Sequence, residues 1–362
     1  MDPSREITDN TRLLFGLIFG FIVMGVVVQI FQVNTFDFLN MQRGVKLLIE
    51  GVNPWAEGKT IPHFYNPPHS VIFLWPLLLL SAQAILWLGG ALLFGLVFFE
   101  KSWVSLAWFL TNSALFVIAV GGIDMYVVGG GLILLLLGDR AFTKPVGIIL
   151  RVLAIGLLLV KPQGTIFIVI LYLFLRRDWL AGLLAVLIFG LPFLRLYPDW
   201  LRVVLFEPPL SQTIAAHTLF RKFGPILASL VAVLVIISRR WRFWQLGGAL
   251  AGILSPYGMP GMPIFLTLGA VYKISAIPAV VIFSACLFLL TWVTPPSPEM
   301  DFYSFVNPLM SIYHISMLGL ALILACLLGG KTAEKDWCGN FSGIGHRLLG
   351  VRNLLKWLVS IH

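Results

Sequence analysis

Charged side chains are scarce in this chain: Asp, Glu, Lys and Arg make up 11% of its 362 residues. A soluble domain carries about 25% charged residues. Hydrophobic residues account for 59% of the chain, more apolar surface than a soluble core can bury. The shortage of charge therefore excludes a soluble globular fold and predicts a polytopic membrane protein built from bilayer-crossing helices. Long apolar runs, in place of alternating segments of about ten residues, argue against an outer-membrane barrel.

Cysteine is rarer still, with three in the chain, and Cys286 and Cys326 lie within apolar runs. Neither a disulfide framework nor a metal-binding cysteine cluster is predicted. No Gly-rich phosphate loop, HExxH or CxxC motif occurs, so soluble nucleotide chemistry has no visible site. Lys and Arg outnumber Asp and Glu by 25 to 16, which gives a net charge of +9. Because no basic face stands apart from the membrane flanks, this excess predicts contact with anionic lipid and not with nucleic acid.

Apolar runs recur along the chain and predict an all-α bundle of roughly 10–13 transmembrane helices. The first run, 13–31, predicts a retained signal-anchor helix and not a cleaved signal peptide. Pro76 is expected to divide the long run 70–99 into a half-helix and a full span. An interfacial helix is predicted over 197–206. The chain is interpreted as one transmembrane domain, 1–362, composed of a first module, 12–195, an outer loop, 196–223, a variable helical module, 224–329, and a basic amphipathic helix on the inner leaflet, 342–361.

Orientation follows from the positive-inside rule, which places compact basic clusters in the cytoplasm. These clusters are Arg140 with Lys144, Arg176 with Arg177, Arg239 and Arg240 with Arg242, and Lys331 with Lys335. The resulting alternation predicts a multi-pass protein of the cell inner (plasma) membrane with both termini in the cytoplasm. It also brings to the outer face a set of residues that took no part in setting the orientation: Asp37, Asp124, Lys161, His217, Arg221, Lys222 and Tyr257.

An amphipathic helix is predicted on the outer side, soon after the first apolar run. Phe38, Met41, Val45 and Leu48 recur at three- and four-residue spacing, which is typical of a helix lying on the membrane surface. Asp37 falls at its N-terminal end. A carboxylate there is placed to act as a general base or to cap the free N–H groups of the helix, and the two interpretations are compatible.

Two proline-containing motifs follow in the same outer loop, Asn53-Pro54-Trp55 and Tyr65-Asn66-Pro67-Pro68. Proline stops helices and restricts the preceding residue to extended backbone, so both segments are expected to be rigid. One interpretation is a rigid wall that orients Asp37 and an acceptor, with the rings of Trp55 and Tyr65 stacking on a sugar. The other interpretation is ordinary loop punctuation.

Cationic side chains stand beside apolar runs on the same side. Lys161, followed by Pro162 and Gln163, ends one run, and His217, Arg221 and Lys222 precede another at one-turn spacing. Each group is suited to bind a lipid phosphate in a poorly solvated site, or only to anchor a helix at the interface.

Two further positions on this side interrupt apolar sequence. Asp124 follows Gly121-Gly122, where a carboxylate is costly unless it is paired or hydrated; the alternative is a rim residue bonded to backbone. Tyr257 lies in the proline-rich segment 255–263, which is expected to line a groove for a lipid or to form a plain turn.

The order of these motifs resembles a known family. Asp37 after the first helix, Gly51-Val52-Asn53-Pro54-Trp55, Tyr65-Asn66-Pro67-Pro68 and Lys161-Pro162-Gln163 are similar to motifs of the GT-C fold polyprenyl-phosphate-sugar-dependent glycosyltransferases, and most of all of the bacterial polyprenol-phosphomannose-dependent alpha-mannosyltransferases. The resemblance covers residues 12–180, about half of the chain. One motif departs, because Gly121-Gly122-Ile123-Asp124 stands where the family has Gly-Gln-x-Asn. A different role for Asp124, altered specificity and lost activity are the alternatives.

The resemblance implies a GT-C-like bundle that acts as an inverting membrane glycosyltransferase without a metal or other cofactor. In such enzymes a hydroxyl of a glycan or glycolipid acceptor takes the sugar, here with mannose favoured, from a polyprenyl-phosphate donor on the outer face. Carried onto this sequence, Asp37 is the general base, and Lys161 together with the cluster of Arg221 and Lys222 stabilises the leaving phosphate. The residues expected to contact donor or acceptor are Asn53, Trp55, Tyr65, Asn66, Asp124, Lys161, Gln163, His217, Arg221, Lys222 and Tyr257.

A non-catalytic membrane protein is the alternative, either a subunit of a complex or a lipid or solute transporter. A transporter is expected to show inverted repeats and broken helices with charges near the middle of the membrane, whereas this sequence gathers its charges at the outer mouth. The altered motif at 121–124 keeps the subunit alternative open.

Overall fold

Helices joined by turns make up the computed structural model, with no β-strand in the residues it describes. Those residues are 3–30, 36–56, 64–119, 122–141, 143–205, 218–238, 241–255, 261–293 and 302–328. Four of the described helices are long and apolar enough to cross a membrane, and five more apolar helices have 10–17 residues. The prediction of a helical membrane protein is confirmed, while the finer count of roughly 10–13 spans stays a prediction.

The α-helices of the described residues are numbered in chain order. They are α1 (Pro3–Ile30), α2 (Phe36–Ile49), α3 (Ser70–Leu74), α4 (Ala82–Glu100), α5 (Asn112–Ala119), α6 (Asp124–Arg140), α7 (Lys144–Leu158), α8 (Pro162–Arg176), α9 (Trp179–Ala185), α10 (Tyr197–Leu205), α11 (Leu219–Ser238), α12 (Phe243–Leu254), α13 (Gly261–Leu268), α14 (Ile277–Val293) and α15 (Phe302–Leu328). The four membrane-length segments are Thr8–Ile30, Ala82–Glu100, Trp179–Val204 and Leu219–Ser238.

The first two of these segments, in α1 and α4, pack along one another through small residues. A side-chain carbon added at Gly20 would lie 2.5 Å from Cβ of Phe94, and one added at Gly90 would lie 2.0 Å from Cγ of Met24. Such close approach requires glycine, and small residues at the contact are typical of paired membrane helices. Most of α1 away from this contact is exposed, as expected of a helix that faces lipid.

The long apolar run 70–99 is divided in the way that Pro76 predicts. α3 continues into a 3₁₀ segment that contains Pro76, the chain becomes extended at Leu80, and α4 begins afresh after Ser81. The Ser81 hydroxyl accepts a hydrogen bond from the amide of Ala84 at 3.2 Å, which satisfies one free N–H at the helix start. The predicted division is present, with its extended residue at Leu80, beyond Pro76, and α4 is long and apolar enough to cross a membrane.

The apolar run 103–120 is also broken, which its hydropathy did not predict. A 3₁₀ segment, Trp103–Leu110, ends at Thr111, and α5 begins at Asn112. The Thr111 hydroxyl donates to the carbonyl of Trp108 at 2.7 Å and so turns the chain locally. The break lies within an apolar stretch and therefore needs polar partners from other helices.

Those partners come from α14 and α15. The hydroxyl of Tyr313 accepts from the amide of Asn112 at 2.9 Å and lies 2.5 Å from the hydroxyl of Ser284. Nδ1 of His314 lies 3.0 Å from Oγ of Ser113. Tyr313, His314, Ser113 and Ser284 are all buried, so this polar cluster satisfies the backbone freed by the break.

The membrane-length segment that begins at Trp179 continues as one helical rod to Leu205. α9 passes through a π-helical turn, Val186–Gly190, and a 3₁₀ segment, Leu191–Leu196, directly into α10. The winding changes at Pro192, because proline lacks an N–H donor and its ring crowds the preceding turn. The helix predicted over 197–206 is therefore present as α10, but it is the last part of a rod and not a separate surface helix.

Ion pairs join several helices at one end of the bundle, here called the basic end. Arg140, at the end of α6, contacts Asp9 of α1 at 3.0 Å and Glu100 of α4 at 3.9 Å. Arg242, which precedes α12, pairs with the same Glu100. The side chain of Glu100 is only 7% exposed, so its charge depends on these two arginines.

A second group of ion pairs lies beside the first. Asp139, the neighbour of Arg140, accepts from the hydroxyl of Tyr172 at 2.7 Å and pairs with Arg176 at 3.2 Å. Arg140, Arg176 and Arg242 come from three of the clusters that the positive-inside rule assigned to one side, and the structure places them at one end. Which face of the membrane this end adjoins stays a prediction.

Candidate functional site

The predicted site motifs gather around one buried apolar cluster at the far end of α6 from the basic end. α6 begins at Asp124 and ends at Arg140, so the two ends are about 25 Å apart. We call this group the site cluster; its buried members are Phe38, Met41, Val45, Trp55, Phe64, Leu74, Leu77, Ala82, Ile85, Ile123, Val127, Leu157, Val160, Trp200 and Val203. Four of its members, Phe38, Phe64, Ile123 and Val160, directly adjoin the predicted site residues Asp37, Tyr65, Asp124 and Lys161 in sequence.

α2 carries the predicted amphipathic pattern. Phe38, Met41 and Val45 are buried in the site cluster, and Leu48 is partly buried against it. The helix begins at Phe36, so Asp37 lies in its first turn, where the helix dipole favours a negative charge. The side chain of Asp37 lies outside the described residues, and its role as a base stays a prediction.

Trp55 is fully buried, and this corrects the prediction that its ring stacks on a sugar. Its indole N–H donates to the carbonyl of Phe64 at 3.1 Å, and its ring stacks on that of Phe64 with centroids 5.5 Å apart. Asn53 supports the same residue, because its Oδ1 accepts from the amide of Trp55 at 3.0 Å. A large ring with a satisfied N–H is more stable buried than exposed, so this motif anchors the loop.

The second motif is bound to the start of α8. Asn66 is buried, and its amide donates to the carbonyl of Val160 at 3.1 Å, one residue before Lys161. Tyr65 is partly buried, and its carbonyl accepts from the indole of Trp200 at 3.0 Å. The sequence separated Asn66 and Lys161 by more than ninety residues, and this contact brings their segments together.

Lys161 and Asp124 form an ion pair at the rim of the site cluster, with 3.4 Å between Nζ and Oδ2. Their side chains are 22% and 33% exposed, so both remain accessible from outside. Lys161 directly precedes α8, and Asp124 begins α6, so the positive ends of two helix dipoles meet at this pair. Gln163, in the first turn of α8, is also partly exposed. The arrangement is suited to hold an anion at this position.

α10 contributes more to the site than the sequence indicated, because four of its side chains bond to the motif segments. The Tyr197 hydroxyl lies 2.8 Å from Nδ1 of His69, and the Asp199 carboxylate accepts a hydrogen bond from the Asn53 amide at 2.6 Å. The Trp200 indole donates to the Tyr65 carbonyl and the Arg202 guanidinium donates to the Trp55 carbonyl, both at 3.0 Å. The partners lie 128–147 residues apart in sequence, so no local pattern reveals them. The only sequence signal is the density of hydrogen-bonding side chains in this short segment.

His69 is a buried residue that the sequence did not single out. It is 5% exposed, directly follows the second motif, and its ring lies nearly parallel to that of Tyr197. Burial lowers the pKa of His69 from 6.5 to about 4, and a backbone contact with Gly156 opposes this shift. The imidazole is therefore neutral at physiological pH.

Other predicted residues are not brought to the site cluster. Arg221 and Lys222 are exposed at the start of α11, whose principal contacts are with α12 and α15. His217 and Tyr257 lie outside the described residues, as does the helix predicted over 342–361. Within the described part of the chain, Lys161 pairs with Asp124 at the rim of the site cluster, and Arg202 binds the Trp55 carbonyl.

Metal ligation finds no support in the described ranges, where no three His, Cys, Asp or Glu side chains are grouped so as to hold an ion. Comparison of the chain with family models, with curated proteins and with solved structures finds no match. The site is therefore defined by its arrangement: a partly exposed lysine and carboxylate lie where two helices begin, beside the buried cluster that holds both proline motifs.

Proposed function

We propose that this protein is an inverting membrane glycosyltransferase with a GT-C-like fold, which moves a sugar from a polyprenyl-phosphate carrier to a hydroxyl of a glycan or glycolipid. The observation that carries the proposal is the convergence of five separate segments on the site cluster. These are the start of α2 with Asp37, the two proline motifs, and the Lys161–Asp124 pair. A shared active site requires such convergence, and the order of the motifs resembles that of transferases of this kind.

Lys161 is the proposed ligand of the carrier phosphate. Its ammonium lies at the start of α8, where the helix dipole adds to its attraction for an anion. In the free protein the Lys161 ammonium is paired with the Asp124 carboxylate, so a phosphate that binds Lys161 must displace this carboxylate. The isoprenoid chain of the carrier is proposed to lie against the apolar helices around the site. The site is proposed to face the outer side of the plasma membrane, and mannose is the favoured sugar.

Asp37 is the proposed general base. It takes the proton of the acceptor hydroxyl as that oxygen attacks the anomeric carbon, and the bond from this carbon to the phosphate oxygen breaks on the opposite side. The bonding pair leaves with the phosphate, whose charge Lys161 stabilises. Asp37 directly precedes Phe38, a member of the site cluster, which places the start of α2 beside the other motifs.

Binding of the carrier is tested by thermal shift of the purified protein with short-chain polyprenyl phosphate, polyprenyl-phosphate mannose and an uncharged prenol. Both phosphates are expected to raise the melting temperature, because a ligand of the folded state stabilises it. Lys161→Gln weakens the shift. Asp124→Asn strengthens apparent binding by up to about fivefold, since an exposed ion pair contributes at most about 1 kcal/mol.

Glu50→Gln is the charge-matched control for Asp124→Asn. Glu50 belongs to a separate, exposed pair with Lys46 of α2, so its loss is expected to leave binding unchanged. Equal shifts by the phosphates and the prenol, or no shift at concentrations that saturate a known transferase, would reject the carrier site.

Turnover tests the base. Asp37→Asn is expected to keep the thermal shift with the donor and to lower kcat by about 100-fold or more, because the amide cannot accept the hydroxyl proton. Product release is followed with radiolabelled donor and candidate acceptors in detergent. Full turnover in the variant would reject Asp37 as the base.

A membrane transporter is the second candidate, and the helix break at Thr111 favours it. Transporters place broken helices and polar side chains in the interior of the bundle, and here the break is lined by Ser113, Tyr313 and His314. Uptake of a labelled lipid or solute into proteoliposomes, together with an absent shift by carrier phosphates, would support transport over transfer.

A further inference from the structure

We propose that α10 is a positioning element of the candidate site, and that Asp199 and Arg202 are positioning residues for the Asn53–Trp55 motif. The catalytic consequence rests on the proposed function, whereas the structural claim depends only on the hydrogen bonds. These residues touch neither a donor nor an acceptor in this proposal. They act through the backbone of the motif.

The peptide groups on both sides of Trp55 are held from α10. The amide N–H of Trp55 is bound by Oδ1 of Asn53, and the Nδ2 of that same Asn53 donates to Asp199 at 2.6 Å. The carbonyl of Trp55 is bound by Arg202 at 3.0 Å. Hydrogen bonds with a charged partner are shorter and stronger than neutral ones, so the carboxylate and the guanidinium fix this stretch of main chain.

The same helix also holds the second motif. Trp200 donates to the carbonyl of Tyr65, and Tyr197 pairs with His69, three residues beyond Asn66. Residues Tyr197 to Arg202 therefore lie across both motif segments. A displacement of α10 moves the two motifs together.

Only one face of α10 packs against the site cluster. Trp200 and Val203 are buried in the site cluster, while Leu201 is 41% exposed on the opposite face. α10 is also the end of the rod that contains the π-helical turn Val186–Gly190, and turns of this kind occur frequently near functional sites. Transfer requires reacting groups placed to within about 1 Å, so a small shift of the motifs is enough to lower turnover.

Three variants and one control test the proposal: Asp199→Ala, Arg202→Met, Arg202→Lys and, on the exposed face of the same helix, Leu201→Ala. Asp199→Ala and Arg202→Met are expected to lower kcat by about 10- to 100-fold with donor KM within about twofold of wild type. Arg202→Lys is expected to keep a higher kcat than Arg202→Met, because lysine retains a charged donor for the Trp55 carbonyl. Leu201→Ala keeps wild-type turnover.

Amide hydrogen exchange provides a readout that does not require activity. Peptides covering 53–56 and 64–69 are expected to exchange about tenfold faster in Asp199→Ala and Arg202→Met, whereas peptides of α1 and α4 exchange as in wild type. A uniform rise in exchange with a lower melting temperature would overturn the proposal, since it would indicate a purely stabilising role. Unchanged exchange at 53–56 would overturn it as well.

The two proposals fail in different ways. Wild-type protein without turnover on any donor contradicts the proposed function, and local exchange then decides whether α10 holds the motifs. Active wild type with active Asp199→Ala and Arg202→Met contradicts the positioning role alone. If Arg202→Met does not fold, Arg202→Lys and Asp199→Ala still separate these outcomes.

Discussion

Two tryptophans near the site use the same chemistry at neighbouring positions. Trp55 and Trp200 are both buried and donate their indole N–H groups to the consecutive carbonyls of Phe64 and Tyr65. Tryptophan combines a large apolar ring with one donor, so it can fill a cluster and fix a loop at once. Neither ring is open to a sugar in this arrangement. Tyr65 is partly exposed, and contact of its ring with a sugar stays a prediction.

His69 predicts a pH dependence of stability. Its pKa is lowered to about 4 in the folded protein, whereas the unfolded chain binds the proton near 6.5. Above pH 6.5 the residue has no effect on the pH dependence. Between pH 6.5 and 4 the unfolded state takes up the proton first, so the folded state loses stability on the order of 3 kcal/mol.

The measurement compares thermal unfolding of wild type and His69→Asn in detergent at pH 7.5 and pH 4.5. The asparagine keeps a polar partner for the Tyr197 hydroxyl but does not titrate over this range. A smaller loss of melting temperature in the variant is expected. Parallel losses in the two proteins would assign the pH effect to other groups.

At the scale of the element, features that depend on the local sequence were predictable, whereas features that depend on contacts between distant segments were not. The periodicity of Phe38, Met41 and Val45 predicted α2, and Pro76 predicted the division of 70–99, because each signal acts on its own segment. The break at Thr111 and the bonds of α10 could not be predicted, since they depend on partners far away in the chain. The same reason hides the pairing of Lys161 with Asp124, although both were predicted site residues.

The break at Thr111 predicts a specific cost for removing the Tyr313 hydroxyl. Tyr313→Phe leaves the Asn112 amide and the Ser284 hydroxyl without this partner in a buried place, so the protein is expected to lose about 1–3 kcal/mol of stability. Tyr272→Phe is the matched control, because the Tyr272 hydroxyl has no hydrogen-bond partner among the described residues. Thermal unfolding of both variants in one detergent provides the comparison, and equal melting temperatures would contradict the role of Tyr313.

The whole molecule separates two kinds of polar chemistry at the two ends of α6. The basic end neutralises its arginines with Asp9, Glu100 and Asp139, while the site end holds a partly exposed pair, Lys161 and Asp124. Buried charges need such partners, because desolvation is costly when one member is missing. The net positive charge of the chain therefore does not measure how many of its arginines are open to solvent.

Glu100 is expected to be the most sensitive residue of the basic end. Glu100→Gln leaves Arg140 and Arg242 without their shared carboxylate and is expected to cost about 3 kcal/mol. Glu50→Gln, which breaks an exposed pair with Lys46 at the end of α2, is expected to cost about 0.5 kcal/mol or less. Unfolding by denaturing detergent measures both, and similar costs would show that the basic end contributes little to stability.

The glycine contacts between α1 and α4 also bear on how the chain is made. Gly20 fits against Phe94, and Gly90 against Met24, yet about fifty residues separate the end of α1 from the start of α4. At about 5–20 residues per second, a ribosome needs on the order of 3–10 s to synthesise that stretch. α1 therefore emerges from the ribosome this long before α4, and meanwhile it lacks the neighbour that covers its glycine face. Lipid or the insertion machinery must shield it, so slowed translation across residues 31–81 is expected to increase degradation of nascent chains.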